Sequence, residues 1–170
     1  MKRTATVIIN TVSMLTLRKI FRFAAVAVAY PILTAVSFYA TIKTFNLARK
    51  YFPQTNSTDG IGNAFRHALW CCLILMYCSK ISSAAKSLRF CKRITDLYEE
   101  MFPNEPLQTR MDLHNNAVGM NCFMELLPGI HRQFFETGFF IDLLLEKSKT
   151  AVLMTNEDQW PSNELVYIGR

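Results

Sequence analysis

The sequence predicts an all-α fold, a helical bundle with an N-terminal apolar helix long enough to be transmembrane. Three observations favour this fold. Apolar residues recur at helical spacing in most segments of the chain, whereas a half-buried strand would alternate them. Breaks that contain proline or glycine divide the chain into segments of helical length. The 170 residues, of which 51% are hydrophobic, are enough for one domain with a substantial core.

The first predicted element is an uncharged run of 20 residues, from Phe23 to Ile42. At about 1.5 Å per residue, a helix of this length spans about 30 Å, the hydrocarbon thickness of a bilayer. Arg22 and Lys43 bracket the run. We interpret it as a continuous transmembrane or signal-anchor helix, and we expect the protein to be membrane-associated.

Two other interpretations of the N-terminus stay open. Pro31 lies in the middle of the apolar run, and proline is common at the first position of a helix. Residues 31–52 would then form a core helix of a globular bundle. Alternatively, residues 1–30 are an export signal that is removed, with a cleavage-like triplet at residues 27–29.

The clearest linker is residues 53–62, PQTNSTDGIG, because it is rich in turn-forming residues. It divides the chain into an N-terminal membrane-associated helical segment, residues 1–52, and a helical domain, residues 53–170, that carries two polar motifs. We expect Asp59 or Asn63 to cap the helix that follows the linker.

The remaining elements follow from hydrophobic periodicity and from the breaks. The helix of the first motif runs to about Lys80, and its uncharged part is too short to span a bilayer, which suits a buried central helix. Three further helices and a short extended segment are predicted over residues 82–102, 109–126, 130–148 and 165–168.

The two polar motifs are NAFRHALW, residues 63–70, and DLHNNAVG, residues 112–119. On a helix, positions i, i+3, i+4 and i+7 share one face. Both motifs adjoin strongly apolar sequence, so their polar groups are expected near the core, where they need partners. We therefore predict that the two helices face each other and that His67 lies close to Asp112. The shared faces carry Asn63, Arg66, His67 and Trp70 in the first motif, and Asp112, Asn115, Asn116 and Gly119 in the second.

A polar site between the motifs would suit the hydrolysis of a lipid ester or a phosphodiester. His67 is the candidate base, since histidine titrates near neutral pH, and Asp112 either orients it or binds a metal with it. The asparagines would donate hydrogen bonds to an oxyanion or a phosphate. We assign catalytic roles to His67, Asp112, Arg66 and Asn116, and ligand-binding roles to Asn63, Asn115 and Trp70.

The alternative is a structural network without a reaction. In this network Arg66 pairs with Asp112, while His67 and the asparagines satisfy one another across the helix interface. The protein would then be a non-catalytic membrane accessory or interaction subunit whose polar residues hold helices in register. A cleft that reaches the polar residues favours the enzyme, and a sealed, fully paired network favours the alternative.

Other polar groups are given no role. His114 points away from Asp112 on its helix, and His131 lies beyond a helix break. Glu99 and Glu100 could supply a further carboxylate, but near a helix end they are expected to be solvated. Because no paired C-x-x-C or H-x-x-x-H spacing occurs, we expect no metal and no cofactor. The five cysteines are interpreted as small buried hydrophobic residues: Cys71, Cys72, Cys78, Cys91 and Cys122.

The charge distribution favours membrane lipid as a partner. The net charge is +6, which suits an anionic membrane surface. The chain has no recognised nucleic-acid-binding motif, so no nucleic acid is expected, and a protein partner is the other candidate. Basic residues cluster before and after the apolar run: Lys2, Arg3, Arg18, Lys19 and Arg22, then Lys43, Arg49 and Lys50.

The two motifs together, NAFRHALW and then MDLHNNAVG, resemble a family of uncharacterised bacterial helical domains. Its members show N-A-x-R-H-A-x-W followed by M-D-L-x-N-N-x-x-G, and the likeness covers about residues 45–125. The resemblance implies a helical fold and a bacterial source, is compatible with a role as a secreted effector or toxin, and brings no established activity. Together with the apolar run, the bacterial source places the expected membrane location at the inner membrane. One departure is Cys71, where members often have asparagine.

Overall fold

The structure, a computed structural model, describes residues 17–155 and 159–169. Most of these residues are helical, so the predicted all-α bundle is confirmed. In chain order the elements are α1 (Leu17–Ala29), α2 (Pro31–Tyr51), α3 (Ile61–Ile81), α4 (Ala84–Met101), α5 (Pro106–Leu126), α6 (Thr137–Lys149), β1 (Val152–Leu153) and β2 (Val166–Tyr167).

Helix α3 is the centre of the bundle. Of its 21 residues, 16 are buried, and α2, α4, α5 and α6 pack around it. A helix that is apolar on all sides has to be enclosed in this way. Its start differs from the prediction, because Gly60 and neither Asp59 nor Asn63 occupies the N-cap position. Asp59 instead accepts a hydrogen bond of 2.7 Å from Gln108 Nε2.

The prediction of one continuous helix over residues 23–42 is wrong. The chain breaks between α1 and α2, and the two helices are bent by 112° at the break. The cause is Pro31, which is the first residue of α2. Proline disfavours the helical conformation at the residue before it, and Tyr30 accordingly leaves the helical region, with φ −137° and ψ 59°. The interpretation in which Pro31 starts a new core helix describes α2.

Helix α2 has two different faces. Small residues, among them Ser37, Ala40, Thr44 and Ala48, are buried along the side that packs on α3. On the opposite side, large apolar residues are exposed: Ile32, Phe38, Tyr39, Ile42 and Phe45. By length and composition α3 could also cross a membrane, but 83% of its apolar stretch is buried inside the bundle. The exposed large apolar residues therefore lie mainly on α2 and α1, and α3 contributes Ile81 at its end.

Helices α3 and α5 approach each other closely where Gly119 meets Ala68. A Cβ atom placed on Gly119 would lie 2.1 Å from the carbonyl oxygen of Ala68, a distance that two such atoms do not reach. Only glycine lets the two backbones touch at this point. Since Ala68 directly follows His67 in the chain, the contact fixes the distance between the two polar motifs.

The other helices match the prediction except at their ends. Helix α4 begins after Ser83, whose hydroxyl accepts a hydrogen bond from the backbone N–H of Lys86 at 3.2 Å. Helix α6 starts at Thr137, later than the predicted residue 130. The preceding loop instead binds the end of α3, where Gln133 Nε2 donates to the carbonyl of Lys80 at 2.9 Å.

The C-terminal part folds back along α5. Strands β1 and β2 pair in parallel, with Val152 opposite Val166, which confirms the extended segment predicted over residues 165–168. Val166 is fully buried against Met111 and Met154. Strand β2 therefore packs against both α5 and α3.

Candidate functional site

His67 lies inside the bundle, on α3, with both ring nitrogens engaged. Its Nδ1 lies 3.2 Å from Asn116 Oδ1, and its Nε2 lies 3.1 Å from Arg66 Nη2. These contacts fit a neutral ring that donates from Nδ1 and accepts at Nε2. Burial, together with the nearby charge of Arg66, lowers the pKa of His67 to about 3. The ring is therefore neutral at physiological pH.

Asp112 faces His67 from α5. One carboxylate oxygen, Oδ1, lies 3.3 Å from His67 Nε2, so the predicted proximity of these two residues is confirmed. Two amides hold the carboxylate, with Nδ2 of Asn63 at 3.4 Å and Nδ2 of Asn104 at 3.2 Å. Burial raises the pKa of Asp112 to about 6, although Arg66 and the two amides favour the ionised form.

Glu99, on α4, lies at the site together with His67 and Asp112. This position contradicts the prediction that Glu99 is solvated. It is only 5% exposed, and its Oε1 lies 3.8 Å from His67 Nδ1. Burial, and next the charge of Asp112, raise the pKa of Glu99 to about 8. The available signal in the sequence was helical spacing, since Glu99 follows the buried Thr95 and Cys91 at intervals of four residues.

Arg66 does not pair with Asp112 as the structural alternative predicts. Its Nε donates to the backbone carbonyl of Asn56 at 3.0 Å, and its Nη2 donates to Asn63 Oδ1 and contacts His67 Nε2. Burial lowers the pKa of Arg66 from its ordinary value. The guanidinium thus binds uncharged groups at the edge of the site, and its charge acts on the two carboxylates from a distance.

Trp70 lies beside His67 at a small cavity. Its Nε1 donates to Thr41 Oγ1 at 2.8 Å, and its ring meets the ring of Tyr98 edge to face. The cavity has a volume of about 20 Å³, enough for one water molecule. Thr44 Oγ1 is buried there without a hydrogen-bond partner. The cavity is lined by Thr41, Thr44, Phe45, Arg66, His67, Trp70 and Tyr98.

A larger groove reaches the site from the surface between α4 and α5. It has a volume of about 570 Å³, and Glu99 and Asn116 form part of its lining. Two buried atoms at this end of the site, Glu99 Oε1 and Asn116 Nδ2, have no hydrogen-bond partner within residues 17–155 and 159–169. The Asn116 amide is near enough to favour the ionised form of Glu99, but the two groups do not meet the geometry of a hydrogen bond.

Three polar residues near the second motif lie outside the site. The helical-face prediction placed Asn115 with Asp112 and Asn116, and the structure corrects it. Asn115 turns to β2, where its Nδ2 donates to the carbonyl of Val166 at 2.9 Å and its Oδ1 accepts from the Val166 N–H at 3.0 Å. His114 contacts the carbonyl of Glu164, and His131 lies in the exposed loop before α6, so both are away from His67 as predicted.

The arrangement gathers groups that can move protons or bind a cation. His67, Glu99 and Asp112 come from three different helices, and one donor atom of each lies within 4.8 Å of the other two. Local spacing could not reveal this set, because its members are 32 and 13 residues apart in the chain. Asn63, Arg66, Trp70 and Asn116 surround the set, so six of the seven predicted site residues lie together and Asn115 does not.

Comparison with known proteins places the chain in a family. Residues 24–152 match the family described as Domain of unknown function (DUF6973), a range that contains both motifs. No curated protein and no solved structure matches the chain. The chain belongs to this family of uncharacterised domains.

Proposed function

We propose that this member of the DUF6973 family is a hydrolase that cleaves ester bonds of membrane lipids at a bilayer surface. The observation that carries the proposal is the inner end of the groove between α4 and α5. There Glu99 Oε1 and Asn116 Nδ2 are buried without hydrogen-bond partners in the part of the chain that the structure describes, next to His67. Native proteins rarely leave buried polar atoms unpaired, and such atoms often mark a functional site.

The residues of the site match the needs of ester hydrolysis. His67 and Asp112 hold the attacking water. Of the two, Asp112 has a pKa of about 6 and is better matched than His67 to take the proton of the water at neutral pH. The water oxygen attacks the carbonyl carbon or the phosphorus of the ester. Asn116 Nδ2 and Arg66 stabilise the negative charge that develops there. The proton then passes to the leaving alcohol, so water and ester yield an acid and an alcohol.

The surface around the site supports a lipid substrate. The exposed apolar side of α2 ends at Phe45, which is 45% exposed, and Arg66 lies over its ring at 5.1 Å from the centroid. This apolar side therefore leads to the cavity beside His67. Apolar residues with nearby basic residues are typical of surfaces that lie in the headgroup region of a bilayer.

A basic cavity beside the apolar surface supports an anionic lipid in particular. It lies between α1 and α4, has a volume of about 450 Å³, and contains two carboxylates as well as its basic groups. Anionic headgroups attract clustered lysine and arginine side chains. We also propose that the protein acts at the bacterial inner membrane or as a secreted effector. The basic lining residues are Arg22, Arg89, Lys92 and Arg93.

The test is ester cleavage on vesicles of phosphatidylglycerol and phosphatidylethanolamine. Mass spectrometry of the products separates released fatty acid from released headgroup and so identifies which ester is cut. His67→Ala and Asn116→Ala should each lower the rate by about 100-fold or more, the usual contribution of a catalytic group. His131→Ala is the matched control, because this histidine is outside the site, and it should keep the wild-type rate.

The membrane part is tested by sedimentation with the same vesicles. Replacing Phe38 and Ile42 with serine should release the protein from the vesicles, whereas replacing Leu113, an exposed leucine on α5, should not. If the wild-type protein cleaves neither ester faster than the His67→Ala variant, the proposed hydrolysis is wrong. If all variants sediment with the vesicles to the same extent, the apolar side of α2 is not the membrane-binding surface.

One observation favours the non-catalytic alternative. Both nitrogens of His67 have partners, and the ring is 2% exposed, as in a residue that holds helices in register. In that case His67→Ala should lower the free energy of unfolding by about 1–3 kcal/mol, because Asn116 and Arg66 lose a partner. The proposed enzyme should instead keep or gain stability when His67 is replaced.

A further inference from the structure

The three ionisable side chains of the site come together in a way that suits a cation. His67 Nε2 and Asp112 Oδ1 are 3.3 Å apart, and His67 Nδ1 and Glu99 Oε1 are 3.8 Å apart. For a metal bound at about 2.1 Å in a tetrahedral site, neighbouring ligand atoms are about 3.4 Å apart. One ion can bind only one of the two ring nitrogens, and a single donor atom from each of the three residues lies within 4.8 Å of the other two. Modest shifts of the side chains would therefore bring the three donor atoms to the separations of a coordination site.

The carboxyl groups of Glu99 and Asp112 have no cation in contact with them in the described part of the chain. Glu99 and Asp112 are 5% and 3% exposed, yet among the described residues no lysine or arginine nitrogen lies within 4.0 Å of either carboxylate. Arg66 is the nearest cation, but it binds Asn56, Asn63 and His67. Two buried carboxylates without a contacting cation are costly, because burial penalises the charged form.

One atom of the cluster is free to take a ligand. Glu99 Oε1 is buried and accepts no hydrogen bond from any described residue, although carboxylate oxygens at buried sites normally accept one or more. Glu99 also lines the groove of about 570 Å³ between α4 and α5. The groove gives an ion a path from solvent to the cluster, which a metal site requires.

We propose that His67, Glu99 and Asp112 bind one divalent transition-metal ion. One imidazole nitrogen with two carboxylate oxygens suits Mn²⁺, Fe²⁺ and Zn²⁺, whereas Ca²⁺ prefers six or more oxygen ligands. Asn116 Oδ1, 3.2 Å from His67 Nδ1, is a candidate fourth ligand. Since Arg66 contacts His67 Nε2, its charge opposes the ion and must move aside if Nε2 becomes the ligand.

The ion would serve the proposed hydrolysis, and in that respect its catalytic role rests on the proposed function. A divalent ion lowers the pKa of a bound water towards neutrality and so makes it a nucleophile. Asp112 would bind the ion through one oxygen and keep the other for the proton of the water. The binding itself depends only on the geometry of the three side chains.

The test measures binding of Mn²⁺ to the metal-free full chain by electron paramagnetic resonance and calorimetry. Mn²⁺ is the probe because it prefers oxygen and nitrogen ligands to the thiols of the five cysteines. We expect one ion per chain and a rise in melting temperature with ion concentration. Glu99→Gln removes a ligand whose Oε1 makes no hydrogen bond, so it should fold normally and weaken binding by about 100-fold.

The matched control is Glu100→Gln, which changes the next residue in the same groove and should bind Mn²⁺ as the wild type does. Asp112→Asn should behave as Glu99→Gln does. Equal affinity of Glu99→Gln, Glu100→Gln and the wild type would overturn the metal site, as would failure of the wild type to bind Mn²⁺ at millimolar concentration. If ester hydrolysis continues in the presence of a chelator, the proposed function holds but does not need the ion. If Mn²⁺ binds and no ester is cleaved, the metal site holds and the proposed hydrolysis is wrong.

Discussion

Two neighbouring asparagines on α5 differ in how completely their side-chain amides are paired. Asn115 and Asn116 are both buried, and a helix turns by only about 100° between them. Asn115 uses both ends of its amide on the backbone of Val166. Asn116 uses only its oxygen, on His67 and Cys71, and its nitrogen has no partner. One amide is fully satisfied and the other keeps a free donor.

The comparison extends to whole sides of α5. The side that faces the C-terminal strands pairs its polar atoms with backbone groups, as a buried chain segment requires. The side that faces α3 and α4 holds Asp112 and Asn116 beside Glu99, with unpaired atoms and shifted pKa values. Full pairing stabilises the fold, whereas incomplete pairing costs stability, a cost that is common at functional sites.

The largest expected effect on stability is that of Asn115→Ala. The substitution removes two hydrogen bonds and leaves the N–H and carbonyl of the buried Val166 without partners. The free energy of unfolding should fall by about 3 kcal/mol, the cost of leaving such groups unpaired. Urea denaturation monitored by circular dichroism measures it, and a fall of less than about 1 kcal/mol would show that water replaces the amide.

An intermediate effect is expected from pH, through Glu99. In metal-free protein its pKa is about 8, against an ordinary value of 4.5, so between these values the folded chain binds more protons than the unfolded chain. The contribution of Glu99 to the stability of the fold is therefore greatest below pH 4.5 and is lost as the pH rises to 8. The ordinary pKa of His67 is 6.5 and the pKa of Asp112 is about 6, so Glu99 is the main group of the site that titrates between pH 6.5 and 8. Over this range the free energy of unfolding should fall by about 1–2 kcal/mol.

Glu99→Gln is the variant that checks this dependence, because glutamine does not titrate. Its stability in the presence of a chelator should stay level from pH 6.5 to 8, whereas that of the wild type should fall. Parallel curves for the two proteins would mean that Glu99 is ionised in the folded state, and that its carboxylate has a partner after all.

The smallest expected effect on stability is that of Asn116→Ala. Among the described residues its amide nitrogen has no partner to lose, and the oxygen it removes accepts from His67 Nδ1 at 3.2 Å. The free energy of unfolding should fall by about 1 kcal/mol, because one buried donor loses its acceptor, whereas Asn115→Ala leaves two backbone groups unpaired. If Asn116→Ala and Asn115→Ala lower the denaturation midpoint equally, the contrast between the two sides of α5 fails.

Helical spacing was enough to bring the two motifs together. The positions of His67 and Asp112 followed from one face per helix and from the need of buried polar groups for partners, and the two side chains meet. Spacing failed at Asn115, because position i+3 lies about 60° from position i, far enough to reach β2 instead. It also gave no sign that Arg66 would turn to the linker at Asn56.

The contribution of α4 could not be predicted from the motifs. Glu99 belongs to a helix whose charges are mostly exposed, and only the packing of α4 on α3 and α5 buries it. The bend at Pro31 was similarly ambiguous, since a proline inside an apolar run either kinks a membrane helix or starts a new helix. The choice between them was made by packing, because the small residues of α2 fit against α3.

The contact between Gly119 and Ala68 also limits how the site can open. The two backbones touch there, which leaves no space between α3 and α5 for a ligand at this level. A ligand that reaches the polar residues must therefore enter through the groove between α4 and α5, which Glu99 and Asn116 line. The width of that groove, and not the motif residues alone, would then select what the site admits.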